Sequence, residues 1–176
     1  MPDVTSTSFG LVIAYLLPGL AGFYTLSLWS HRVDGVLNAF ATANSTFGLS
    51  LLVVLASLTI GMILTIFEWL IYQKTMDWFR SKTLGDMTVL GKDSTKLAAF
   101  RALADEHYRY HQFYAGMTIV IPFLFAGWEH KYWQVYTYGD YLLALAAVLT
   151  LEGCLAAGAA QAYRFYVDRG GQILKA

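Results

Sequence analysis

The segment LTLEGCLAAG, residues 149 to 158, carries a carboxyl group in the middle of an otherwise apolar run. If that run is a membrane-crossing helix over residues 141 to 163, Glu152 is its midpoint, about 16 Å from either edge at 1.5 Å per residue. A glutamate side chain is too short to reach water over that distance. An ionised carboxylate at such depth costs several kcal/mol and is found facing a bundle interior or an aqueous cavity.

Two chemistries follow. In the first, Glu152 handles protons or cations, which requires it to titrate and to touch water. In the second it is a neutral acid that hydrogen-bonds and pins its helix. Candidate polar neighbours at similar depth are Thr59, Thr118 and Tyr15. Pro18 cannot donate to the Ala14 carbonyl, so the Pro18-Gly19 kink offers a free acceptor for a protonated Glu152. A helical wheel places Leu145, Val148, Leu149, Ala156, Ala159 and Tyr163 on the side of Glu152.

Glu68 lies about one turn from the end of another apolar run, residues 47 to 72, and is expected to extend to the interface as an anchor. His107 and His111 are four apart and share a helix face, so they could respond to pH at the interface or contribute to a metal site. Glu106 projects about 100° away from His107, and that face offers no third ligand. No metal or cofactor is assigned. Arg101, Asp105 and Arg109 form a charge ladder on another face, expected to meet a soluble partner. There is no Ser-His-Asp arrangement, HExxH, CxxCH or glycine-rich phosphate loop, so the chain is not expected to be an enzyme.

Gly153 with Ala157, and Ala156 with Ala160, have the spacing that lets helices approach closely, within one protomer or between copies. Cys154 is the one cysteine, which excludes an intrachain disulfide framework.

These groups need elements to hold them. The chain is 57% hydrophobic and 14% charged, against about 25% charged in an average soluble domain. Its net charge of zero gives no case for nucleic acid. Four stretches approach the roughly 20 apolar residues needed for a crossing: about 8–29, 47–72, 110–128 and 141–163. The third is the weakest, because it is short and contains Pro122. The expectation is an all-α polytopic membrane protein with four transmembrane helices in one domain.

Charge placement orients it, since basic residues accumulate on cytoplasmic loops. The segment at about 73–109 carries Lys74, Arg80, Lys82, Lys92, Lys96, Arg101 and Arg109, and the tail carries Arg164, Arg169 and Lys175. The other side has Arg32 and Lys131 alone, out of 12 basic residues. Both termini and the central segment are therefore expected to be cytoplasmic. Asp93, Ser94 or Thr95 can cap a helix from about Lys96 that continues into the third span as a cytoplasmic extension. Val33, Val36, Leu37 and Phe40 suggest a helix along the outer surface, and Asn44-Ser45-Thr46 matches a glycosylation sequon.

The functional expectation is a small homo-oligomeric protein of a bacterial inner membrane that forms a pore or perturbs the bilayer, held silent until triggered. The alternative is an anchor, sensor or assembly subunit whose cytoplasmic helix binds a soluble protein partner.

Overall fold

The computed structural model describes residue 10 and residues 12–42, 46–73, 87–132, 134 and 137–175. Asn44 and Ser45 of the sequon, and Lys74, Arg80 and Lys82 of the central segment, lie outside the described residues. The regular elements among the described residues are all helical. They are α1 (Leu17–Trp29), α2 (His31–Ala41), α3 (Phe47–Glu68), α4 (Ser94–Leu103), α5 (Arg109–Tyr132) and α6 (Tyr138–Lys175). Wider π-type turns precede α1 (Val12–Leu16), follow α3 (Trp69–Gln73) and join α4 to α5 (Ala104–Tyr108).

Three rods are long and apolar enough to cross a membrane: Val12–Trp29, Phe47–Ile71 and Tyr138–Lys175. They carry many large apolar side chains on their outer surfaces, such as Leu26, Leu55, Ile66 and Leu143, which water would not tolerate in a contiguous band. α5 has 24 residues, or about 36 Å of helix, but polar residues at both ends dilute its hydropathy.

α1, α3 and α5 make the tightest part of the bundle. A Cβ at Gly19 would overlap the carbonyl oxygen of Ser57, and one at Gly61 would overlap that of Tyr15. The α1 and α3 backbones therefore touch, which only glycine permits. Gly116 on α5 faces Pro18 more loosely, with a Cβ to Cβ separation of 3.3 Å were Gly116 to carry a Cβ. Pro18 is separated from the Val12–Leu16 turn by one residue, Leu17, and that widened turn is how the helix accommodates the missing N–H.

α6 packs on α5, on α4 and on the turn between them, and makes no comparable contact with α1 or α3. This differs from the expected pinning of Glu152 to the Ala14 carbonyl. Ala14 is buried, and the turn that contains it packs on α3 and α5 with no comparable contact to α6. The small residues of α6, for which sequence left open contact within one protomer or between copies, separate by burial. Gly153 has nothing within 4 Å and Ala157 is exposed, while Ala156 and Ala160 are half-buried. Close approach inside the protomer instead uses Gly19, Gly61 and Gly116, with Ala159 and Ala162 of α6 against α5.

The helix from Ser94 runs through the Ala104–Tyr108 turn into α5, the continuous rod expected from sequence. α6 has 38 residues, about 57 Å of helix, so its end extends beyond a bilayer and covers α4. Leu103, Val167 and Leu174 are buried there. Asp93 caps α4, accepting from the amides of Thr95 (2.9 Å) and Lys96 (3.2 Å). Asp93→Ala should cost about 1 kcal/mol, read as faster amide exchange in the first turn of α4 with the rest unchanged. At the start of α6, the Thr137 hydroxyl (2.6 Å) and amide (3.1 Å) donate to Asp140, which holds that carboxyl below its ordinary range.

α2 buries no residue. Lys131 at the end of α5 reaches its Asp34 at 3.3 Å, and Trp29 stacks on His130 with centroids 5.4 Å apart.

Candidate functional site: a buried acid-histidine pair and a mid-helix glutamate

The three wider turns fall close to one group of buried polar side chains. Tyr15 is within the first, Glu68 immediately precedes the second, and His111 and Gln112 follow the third by one turn. A π-type turn adds a residue and rotates the downstream face by about 100°, and such turns recur at functional sites.

Glu68 and His111 are each 1% exposed, with Oε1 and Nε2 3.2 Å apart. The anchoring role expected of Glu68 is therefore corrected. It is near the end of its span, but the neighbouring rods continue past that level, so protein rather than head groups surrounds it. His111 Nδ1 donates to the Ala159 carbonyl at 2.9 Å, and its ring lies 5.0 Å from that of Tyr163. The group thus joins α3, α5 and α6. Neither oxygen of the Glu68 carboxyl makes a hydrogen bond of good geometry among the described residues, and the approach of Oε1 to Nε2 is a close ion-pair contact. Gln112, the residue after His111, is also buried, and its Nε2 donates to the Tyr15 hydroxyl at 3.5 Å. Tyr15 was expected near Glu152 and belongs here.

His107 does not share this environment. Its Nε2 accepts from Arg169 Nη1 at 3.2 Å, since a guanidinium only donates, and its ring lies 5.8 Å from Phe165. It opens onto a groove of about 320 Å³ between α5 and α6, lined also by Glu106, Tyr110, Tyr114 and Gln161. Among the described residues no three His, Cys, Asp or Glu side chains are close enough to hold a metal ion.

Glu152 is half-buried on the α5 side of α6, and its Oε1 is buried with no hydrogen-bond partner. Tyr114 packs on Gly158 and His111 bonds Ala159, an antiparallel register that puts Thr118 level with Glu152. The Thr118 hydroxyl is turned to Tyr114 O at 2.7 Å. Pro122 lies four residues on within the helix, so the Thr118 carbonyl lacks its helical donor. The acceptor that sequence reasoning sought at Pro18 thus has its counterpart at Pro122. Thr59 is on the exposed surface of α3 and bonds its own helix at Leu55 O (2.8 Å), so it is not part of a core polar site.

Of the charge ladder, Arg109 pairs with Asp105 and lies over Gly10, while Arg101 stays exposed. Two of the three residues expected to face a partner are therefore engaged within the chain.

Sequence reading missed the Glu68–His111 pair. The available signal was that both lie within one turn of span ends on the same expected side of the membrane. No known family model, curated protein or solved structure matches this chain.

Proposed function

We propose that the chain is a four-span membrane protein, α5 being the fourth crossing, whose copies associate through the outer face of α6 to form a pore or perturb the bilayer. Both termini and α4 lie on the cytoplasmic side in this reading. The observation that carries it is the one-sided packing of α6. Among the described residues, α6 within the bilayer rests on α5 alone, its opposite face presents Gly153, Cys154 and Ala157 to the outside, and Glu152 has a buried oxygen without a hydrogen-bond partner. A small-residue surface suits close contact with a second copy, and a mid-membrane acid suits a polar path. Recruitment of a soluble partner by α4 has less support, because its Leu103 face is already covered by the end of α6.

The single cysteine supplies the test. Mild oxidation of the protein in its membrane is expected to give a covalent dimer through Cys154, lost in Cys154→Ser. Absence of that dimer counts against the α6 face. In liposomes from about pH 5 to about pH 8, wild type is expected to pass protons or potassium, and Glu152→Gln to lose or alter that flux while staying folded. Identical flux in both would remove Glu152 from the path.

A further inference from the structure

We propose that Glu68 and His111 form one proton-binding centre, in which a single proton held between Oε1 and Nε2 is required for α3 and α6 to dock on α5. The Ala159 carbonyl only accepts, so Nδ1 of His111 carries a hydrogen. Nε2, 3.2 Å from Oε1, then has either a lone pair or a second hydrogen. A lone pair facing a carboxylate would oppose two acceptors and bury a net charge, which is strongly unfavourable. Two forms remain: carboxylic acid donating to imidazole, and imidazolium donating to carboxylate. Both hold one proton more than a glutamate and a histidine do in an unfolded chain above about pH 6.5. The proton belongs to the pair rather than to either residue.

The groups around the pair fit a proton site. Gln112, next to His111 in the chain, donates to the hydroxyl of Tyr15 in the N-terminal turn. Tyr108 of the turn before α5 and Tyr163 of α6 have ring centroids 6.0 Å and 5.0 Å from His111. Among the described residues these are phenols, and Arg109, the nearest cation along α5, pairs with Asp105 and lies over Gly10. Tyr15, Glu68 and His111 each lie in or within one turn of a wider π-type turn, and such turns recur at functional sites. The centre does not depend on the pore reading, since a protein that never conducts would hold the same proton.

The test is the pH dependence of the unfolding equilibrium of the full chain in detergent, from about pH 5 to about pH 8.5. Wild type is compared with Glu68→Gln and with Glu68→Gln/His111→Gln, the double variant giving the background from all other groups. Above about pH 6.5, folding of wild type takes up one proton that the unfolded chain lacks. Its unfolding constant should therefore rise up to tenfold per pH unit relative to the double variant. In Glu68→Gln the amide donates to the Nε2 of a neutral imidazole, so the sign reverses. That variant should lose stability as pH falls below about 6.5, where the unfolded histidine takes a proton and the folded one does not. A wild-type alkaline slope equal to the background, or one that survives in Glu68→Gln, overturns the proposal. Should the variants fail to fold, histidine nitrogen resonances of wild type at about pH 8 decide. An Nε2 signal of a hydrogen-bonded or protonated nitrogen is expected, and that of a free lone pair on a neutral ring overturns the proposal.

Discussion

Gly61→Val is expected to prevent α1 and α3 from packing and to remove the cooperative unfolding transition of the protein in detergent. A Cβ at position 61 would coincide with the Tyr15 carbonyl, and a Cβ at Gly19 with that of Ser57. Neither obstacle is a side chain that can rotate away. Extra methylenes in a packed core typically cost about 1–3 kcal/mol, occasionally more. Here the helices themselves must separate, so the cost should exceed that range. Separation would also carry Tyr15 away from Gln112. Gly153→Val is the internal control, since nothing lies within 4 Å of that site. It should leave the unfolding transition of the protomer in place while weakening Cys154 crosslinking. A Gly61→Val protein that unfolds like wild type would mean that α1 and α3 do not meet as described.

His111→Ala is expected to cost about 3–5 kcal/mol, the range for removing one partner of a buried ion pair. It strands the Glu68 carboxyl, 1% exposed, and frees the Ala159 carbonyl from its donor. Glu68→Gln should cost much less near neutral pH, because the amide has nearly the same volume and can still donate to Nε2. The informative comparison is the double variant Glu68→Ala/His111→Ala. If the two side chains depend on each other, its cost should fall short of the summed single costs by about 0.5–3 kcal/mol. Additive costs measured by unfolding in detergent would show that the pair is not coupled.

Much of the architecture was legible because lipid selects for features that are local in sequence. The apolar runs around α1, α3 and α6 announce themselves by length, and Asp93 before Ser94-Thr95-Lys96 marks the start of a helix by its own side chain. The rod from α4 into α5 follows from uninterrupted helical residues. The side of α6 that carries Glu152 was also readable, since Val148, Glu152, Ala156 and Ala159 recur at helical spacing and do turn toward the bundle, although Leu149 turns out to be exposed.

Tertiary structure decided which polar groups leave water and which small residues touch. Glu68 looked like an interfacial anchor because its own helix ends nearby, but its environment is set by α5 with the turn before it and by α6, which continue past that level. His107 and His111 share a spacing and a face, yet α6 buries one against Ala159 and leaves the other beside Arg169 at a groove. The small-residue spacing in α6 suits close approach, yet Gly153 meets nothing within 4 Å, whereas Gly19 and Gly61, on separate helices, each meet a backbone carbonyl. Hydrophobic length and capping are properties of a segment, whereas burial of a carboxyl depends on how far the neighbouring helices reach and how their turns rotate them, which no single segment encodes.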